Sequence, residues 1–277
     1  MKTIKLILLN ILLVGALMSC QKEDVTNETD ITQKTPTKEQ LIKLNALGIS
    51  NTAVTIEKVI NLDGSSEDYF LNDTDLAIPV EGLFDLGDLE SLDNGTKQYR
   101  TRNLVSSANR TIDVLGYTGG SNALNSTNRQ ALQRAVNNYN RLNSTLNMRL
   151  TFGTNYRAAD ITVYVQSNLG AGGLAGFPSQ GRPYQWARIG PSVSNRGLGY
   201  ATHVITHEIG HCIGLRHTDW FRRYCDGSNE GQSSEGAIHI PGTPTGIDIS
   251  STMMSCPTGY EDGNFNRNDI IAIEYLY

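Results

Sequence analysis

The chain carries the stretch HEIGHCIGLRH at residues 207–217, and no other stretch of the sequence predicts structure so strongly. His207 and His211 are four residues apart, so on a helix both imidazoles project from one face about one turn apart. Gly214 permits the positive-φ turn that ends a helix, and this turn would return the chain so that His217 approaches the same face. The stretch therefore predicts a helix, a tight turn and three histidines that meet at one point.

Three imidazoles with an open fourth position are the ligand set of a catalytic zinc ion. Glu208 follows the first ligand directly, where it can reach a water at the metal without coordinating the metal itself. Zinc would lower the pKa of that water and polarise a scissile carbonyl, while Glu208 takes the proton and passes it to the leaving amine. We therefore predict Zn²⁺ as cofactor, His207, His211 and His217 as its ligands, and Glu208 as the general base of peptide hydrolysis.

Other potential ligands lie near this stretch. His203 precedes His207 by one turn, but a ligand role there would leave no glutamate in the position of the base, so we expect it beside the ligands or in the core. We expect His239 in a strand or in the substrate cleft. Asp219 could replace His217 as a ligand, although an orienting or turn-capping role is the favoured interpretation.

Two further features near the site are interpreted as structural. Cys212 lies within the predicted helix, where a small buried apolar side chain is the preferred interpretation. The tract Asp226-Gly-Ser-Asn-Glu230 contains oxygen ligands but lacks the spacing of a calcium loop. We expect it to form an ordinary surface turn.

The N-terminus has the pattern of an export signal, with Lys2 and Lys5 followed by an apolar run from Leu6 to Met18 that is too short to span a bilayer comfortably. The end of this run, LMSC at residues 17–20, resembles a lipobox, which predicts a signal peptide at residues 1–19 and a lipid on Cys20. The following QKED resembles the acidic tract of some bacterial surface lipoproteins, and a solvated linker explains it equally well. We predict an exported outer-membrane lipoprotein, exposed at the surface or released after processing.

The rest of the chain divides near residue 99. Residues 21–98 contain no histidine and no cysteine, are acidic and are rich in Asn and Thr, so we interpret residues 20–98 as a propeptide or linker and residues 99–277 as the catalytic domain. The first part predicts a helix at residues 37–48 and extended segments at 52–60 and 69–78. The net charge is −5 with scattered Lys and Arg, which argues against a nucleic-acid partner.

The second part predicts a mixed domain. Ser126 is the expected N-cap of an amphipathic helix at residues 127–142. The predicted strands are residues 111–115, 148–152, 160–165 and 185–189. The glycine-rich residues 170–176 are not a phosphate loop, because no Lys-Ser/Thr follows them. They would let a strand lie close to another backbone, including that of a bound peptide, or form a flexible loop.

Four motifs together resemble the dual-action HEIGH metallopeptidases, a bacterial group of the metzincins, and the resemblance covers about residues 40–277. The motifs are THEIGH at residues 206–211, GLRHTDW at 214–220, IHIPGTP at 238–244, and STM at 251–253 followed by Cys256. The resemblance implies an α+β, two-lobed metzincin-like catalytic domain, with a twisted mixed sheet above a zinc-binding helix and the substrate in the cleft between the lobes. A small propeptide would precede this domain, and the protein would be a zinc endopeptidase made as a latent precursor.

The resemblance also assigns individual residues. Metzincins place a methionine in a tight turn beneath the zinc, which we assign to Met253, with Met254 as the alternative. The family pattern further implies a disulfide between Cys225 and Cys256. Some metzincins stabilise the oxyanion with a tyrosine soon after this turn, but here the first is Tyr260, so that role is open and zinc itself can carry the oxyanion.

Latency in exported metzincins commonly depends on a propeptide Cys or Asp that blocks the zinc. This propeptide has no cysteine beyond Cys20, so an aspartate is the remaining option. Asp75, ahead of an apolar segment, is ranked above Asp88, and an ordinary solvated aspartate is the alternative interpretation for both.

Other classes of function remain open on the sequence alone. A surface lipoprotein could use a degenerate peptidase domain for binding, but the retained Glu208 favours catalysis because folding does not need it. A metal-independent structural protein would require the histidine pattern to be accidental, and a zinc hydrolase for other substrates is opposed only by the resemblance. We expect a monomer that acts on proteins or peptides and touches the membrane only through its lipid.

Overall fold

The structure is a computed structural model that describes residues 34–46, 54–71, 78–81, 83–85, 98–230, 236–243, 247–259 and 261–277. The predicted signal peptide, Cys20, Asp75, Asp88 and Tyr260 lie outside the described residues. Within the described ranges, no helix is long and apolar enough to cross a membrane.

The described residues form four α-helices and eleven strands, several of them only two residues long. The helices are α1 (Lys38–Ala46), α2 (Ser126–Asn140), α3 (Leu198–Ile213) and α4 (Arg267–Leu276). The strands are β1 (Thr55–Ile60), β2 (Ser66–Leu71), β3 (Ile78–Pro79), β4 (Tyr99–Arg100), β5 (Thr111–Tyr117), β6 (Asn147–Gly153), β7 (Ile161–Val165), β8 (Gly173–Leu174), β9 (Trp186–Ile189), β10 (Leu215–Arg216) and β11 (Ile238–His239).

The largest sheet has five strands in the order β6-β5-β7-β9-β8. The first four are parallel to one another, and the short edge strand β8 runs antiparallel to β9, with Leu174 opposite Arg188. Parallel strands need long crossover connections, and α2 lies between β5 and β6 in the chain. The mixed sheet with helices packed on it confirms the predicted α+β class.

One face of this sheet is covered by α2 and α3, and apolar side chains from all of these elements form the main core. The core includes Ile112, Val114, Leu132, Val136, Val163, Ala187, Ile189, Ile205 and Ile209. The predicted N-cap of α2 is wrong by one residue. Asn125 caps the helix, because its side-chain oxygen accepts a hydrogen bond from the backbone N–H of Asn128 at 2.9 Å.

The opposite face of the sheet meets the N-terminal segment. Strands β1, β2 and β3 form an antiparallel sheet, and α1 packs on it through a small core of Leu44, Ile56, Phe70 and Leu83. Successive side chains of a strand alternate between faces, so Arg188 points away from the core that contains Ala187 and Ile189. Its Nη2 donates to Asn61 Oδ1, while Val59 and Tyr69 pack against Leu174. Of the extended segment predicted at residues 69–78, the structure describes the end of β2 and the beginning of β3.

The remaining elements are a second short sheet, made of β10, β4 and β11, and the C-terminal helix α4. Strand β4 lies between β10 and β11, so Leu215–Arg216, within the histidine motif, pairs with the start of the catalytic part. Helix α4, which the sequence analysis did not predict, begins with a capping box formed by Asn266 and Asp269. The Asp269 carboxylate also hydrogen-bonds Ser251 and Thr252, in a turn beside the metal centre.

Candidate metal centre and active site

Helix α3 carries the first two predicted ligands and ends as its sequence predicts. Gly214 has a φ of 109° and caps the helix, donating its N–H to the carbonyls of Gly210 and His211 at 3.1 and 2.9 Å. Only glycine adopts this left-handed conformation without strain. The chain then turns back through β10, which delivers His217 to the face of α3 that carries His207 and His211.

The structure brings the three predicted ligands together. His217 Nε2 lies 3.1 Å from His207 Nε2 and 3.1 Å from His211 Nε2. All three rings are buried, and the three form a cluster able to hold a metal ion. Tetrahedral zinc binds imidazole nitrogens at about 2.0–2.1 Å, which places the ligand nitrogens a little over ~3 Å apart. The separations found here suit that geometry.

The other ring nitrogens explain why these atoms need a cation. His207 Nδ1 lies 2.7 Å from the carbonyl oxygen of Thr252, His211 Nδ1 lies 2.8 Å from that of Leu215, and His217 Nδ1 lies 2.6 Å from Glu230 Oε1. Because each partner accepts a hydrogen bond, each Nδ1 carries the proton and each Nε2 presents a lone pair. Three lone pairs directed at one point repel one another unless a cation lies between them, so the residues fit zinc.

The turn at residues 251–254 supplies part of this arrangement. Asp269 accepts hydrogen bonds from Ser251 Oγ and from the backbone N–H of Thr252, at 2.6 and 2.9 Å. Burial raises the pKa of this carboxyl group, whereas the hydrogen bonds from Ser251 and Thr252 act to lower it. Since the Thr252 carbonyl accepts from His207, the capping carboxylate of α4 positions the first ligand through the turn.

Met253, the residue assigned to this turn, is buried against α3. A Cβ atom added to Gly210 would lie 2.6 Å from Met253 Sδ, so the glycine of the HEIGH motif leaves room for the methionine. The Met253 carbonyl also accepts the N–H of Thr218 at 2.9 Å. Met254, the alternative, contacts Thr218 Oγ1 through its sulfur and lines the cleft instead.

Glu208 lies at the base of a cleft of about 400 Å³, beside His207. The cleft is bounded by residues next to β8 on one side and by residues that follow the methionine turn on the other, including Pro257 and Glu261. A Cβ added to Gly173 would lie 2.2 Å from Glu208 Oε1. The glycine-rich stretch therefore brings the backbone of β8 close to the carboxylate, and a side chain at residue 173 would displace it.

Glu230 is the functional residue that the sequence analysis missed. The tract Asp226–Glu230 was expected to be a surface turn, and this is wrong at its end, because Glu230 is 3% exposed and hydrogen-bonds His217. A polar loop separates Glu230 from His217 in the sequence. The sole signal that could have predicted a contact with the metal centre is an acidic residue soon after the third histidine, and this signal is weak.

The remaining predicted residues have structural positions. Asp219 is buried and accepts from the N–H of Tyr224 at 2.7 Å and from Ser255 Oγ at 2.8 Å, which is a turn-capping role. A disulfide joins Cys225 to Cys256. Cys212 is buried in the main core, and burial raises the pKa of its thiol.

Neither of the other histidines joins the cluster. His203 lies on the cleft wall, its ring centroid 6.3 Å from that of His207. His239 is in β11, where its Nε2 lies 3.4 Å from Thr243 Oγ1.

Comparisons with known proteins identify the family of the chain. The dual-action HEIGH metallopeptidase family matches residues 73–277. Two solved structures of myroilysin are similar to the chain at 12% and 15% identity, with TM-scores of 0.40 and 0.38; both cover 61% of this chain, and 80% and 84% of theirs. Among curated proteins there is no match. The family match spans most of the chain and includes every residue of the metal centre, so the chain belongs to the dual-action HEIGH metallopeptidases and is a zinc-dependent peptidase.

Proposed function

We propose that this protein is a zinc endopeptidase in which Glu208 is the general base. The observation that carries the proposal is the position of Glu208, which adjoins the converging histidines and lines the same cleft. A general base must lie within hydrogen-bond reach of the proton that it abstracts, and this carboxylate is one residue away from a metal ligand.

The edge of the sheet favours cleavage within a chain. Strand β8 is the last strand of the described five-stranded sheet and lies beside Glu208. Among the described residues, no further strand pairs with its outer edge, so an extended peptide could pair there through main-chain hydrogen bonds. Such pairing recognises backbone on both sides of the scissile bond and needs no chain terminus, so it supports an endopeptidase.

The chemistry divides between the metal and the protein. When bound, zinc supplies Lewis acidity, which lowers the pKa of an adjacent water and polarises the peptide carbonyl. Glu208 accepts a proton from the attacking water and donates it to the amine nitrogen as the peptide bond breaks. His207, His211 and His217 would hold the zinc through their Nε2 atoms, because Thr252, Leu215 and Glu230 hold the Nδ1 side of each ring.

The test is the substitution Glu208→Gln in the full chain, with zinc content and casein cleavage measured together. Because the amide cannot accept the proton, we expect cleavage to fall about 100- to 10,000-fold while zinc content is unchanged. Chelation should abolish wild-type cleavage, and added zinc should restore it. Asp113→Asn, at a partly exposed carboxylate of β5 that pairs with Arg149, is the matched control and should retain activity. Zinc binding without cleavage in the wild type would contradict the proposal and favour a binding function.

We also propose that the enzyme is exported as a latent precursor, because the chain has an N-terminal export signal, the lipobox-like Cys20 and an acidic segment ahead of the catalytic part. The packing of Tyr69 against Leu174 in β8 supports an N-terminal segment that is folded on the enzyme near its cleft. In this proposal the protein is a monomer, held at the membrane only by its lipid.

Asp75→Ala and Asp88→Ala test how latency arises. If one of these carboxylates blocks the zinc, its removal should give cleavage of casein before the N-terminal segment is processed. The measurement is activity of the unprocessed chain, followed by gel analysis of its length. Unchanged latency in both variants would remove the aspartate mechanism.

A further inference from the structure

His217 differs from the other two ligands in the charge of its hydrogen-bond partner. His207 and His211 donate to backbone carbonyls, whereas His217 donates to the carboxylate of Glu230 at 2.6 Å. An ionised acceptor holds the ring more strongly than a neutral one and makes the opposite nitrogen a better donor to a metal. The third ligand is therefore held by a partner of a different kind.

Two arginines lie beside this buried carboxylate. The Glu230 side chain is 2% exposed, with Arg223 Nε 3.6 Å from Oε1 and Arg216 Nη2 3.9 Å from Oε2. Burying a charged group is costly unless an opposite charge lies nearby. The two guanidinium groups supply that charge beside Glu230, which contacts the metal centre through His217.

The loop that carries Glu230 is fixed to the rest of the site. Its backbone N–H donates to the Trp220 carbonyl at 2.7 Å, and the disulfide from Cys225 to Cys256 ties the loop to the segment after the methionine turn. Arg223 extends the connection, since it bonds Asp226 at 3.0 Å within the loop. These contacts hold the Glu230 carboxylate in place.

We propose that Glu230 is a positioning residue for the third zinc ligand, which fixes the tautomer and orientation of His217 and raises the affinity for zinc. The proposal rests on the zinc site and not on which peptide bonds the enzyme cleaves. Its tests therefore measure metal affinity and ligand geometry rather than peptide cleavage. A failure of the endopeptidase proposal would then not be mistaken for a failure of this one.

The first test is the zinc dissociation constant of the full chain, by competition with a chromophoric chelator, for wild type and Glu230→Gln. Glutamine has nearly the same volume and can still accept a hydrogen bond, but it carries no charge. Loss of a carboxylate that orients a ligand typically weakens metal binding about 10- to 100-fold, and we expect that range here. Asp113→Asn removes an arginine-paired carboxylate from β5, outside the metal centre and its loop, and it should bind zinc like wild type.

A second measurement separates this role from a structural one. The visible absorption of the Co²⁺-substituted chain reports ligand geometry, and it should change in Glu230→Gln but not in Asp113→Asn. A merely structural role would lower the thermal stability of the metal-free chain and leave zinc affinity and the cobalt spectrum as they are. That result would overturn the proposal, as would equal losses of zinc affinity in the two variants.

Glu230→Asp covers the case in which the glutamine variant does not fold. Aspartate retains the charge between the two arginines but withdraws the oxygen from His217. Weaker zinc binding by a folded Glu230→Asp chain supports the proposal, and wild-type affinity contradicts it.

Discussion

The metal centre and the outer face of the central sheet both bury charged side chains, but they compensate the charge differently. At the metal centre, Arg216 and Arg223 lie beside an anionic partner, Glu230. On the outer face, Arg188 is fully buried and its hydrogen-bond partners are neutral: Tyr164 Oη at 2.9 Å, Tyr184 Oη at 3.2 Å and Asn61 Oδ1.

The difference also concerns where the partners come from. Those at the metal centre all belong to the part of the chain after residue 206, and turns and a disulfide hold them together. One partner of Arg188 belongs to the N-terminal segment, which is remote in sequence. The comparison teaches that the hydrogen-bond partners of the metal ligands come from nearby parts of the chain, whereas the outer face also uses a partner from a segment that is remote in sequence.

Among the variants that test this comparison, Gly173→Ala is expected to have the largest effect, because Gly173 lies against the Glu208 carboxylate beside the metal ligands. The added Cβ would lie 2.2 Å from Glu208 Oε1, so the carboxylate or strand β8 must move. A displacement of about 1 Å at a catalytic group can cost ~100-fold in rate, and we expect a fall in kcat/KM of that order with zinc content unchanged. Peptide cleavage kinetics and zinc analysis check this.

Gly172→Ala is the matched control for that variant. A Cβ at residue 172 would have its nearest neighbour at 3.9 Å, the carbonyl oxygen of Leu169, which is ordinary contact. It should therefore reduce activity far less. Wild-type kcat/KM in Gly173→Ala would show that the carboxylate has more freedom than the comparison assigns to the metal centre.

Asn61→Ala is expected to have a smaller effect, on stability alone. It removes an acceptor from the buried Arg188 guanidinium, and loss of a partner from a buried polar group costs about 1–3 kcal/mol. Urea unfolding should show that loss in the free energy of unfolding, whereas zinc affinity should stay unchanged because Asn61 bonds Arg188 and Ser65 rather than a metal ligand.

Ser65→Ala provides the control in the same turn. Ser65 is exposed and bonds Asn61 Nδ2 and Asp63, and surface substitutions of this kind usually lie within about 0.5 kcal/mol. Weaker zinc binding in Asn61→Ala would contradict the separation of the two regions, since it would mean that the N-terminal segment supports the metal centre.

The sequence predicted the elements with strong local patterns. The periodic apolar residues of α2 and the alternating residues of β7 placed both elements to within about two residues. It did not predict α4, although Asn266 and Asp269 form a capping box at its start. Helix starts recognised by caps are a weak signal on their own, and the burial that stabilises this helix comes from distant residues.

The sequence alone determined the zinc ligands and the neighbouring glutamate, because helical geometry places residues four apart on one face and a glycine turn returns the next histidine within a few residues. Only the tertiary structure decided that Glu230 orients His217, that Gly173 makes room for Glu208, and that Asn61 meets Arg188. These pairs join residues from separate segments, and which of them meet depends on how the whole chain packs. Local periodicity carries no information about such contacts, since a polar residue in a loop has the same sequence pattern whether it faces solvent or a buried imidazole.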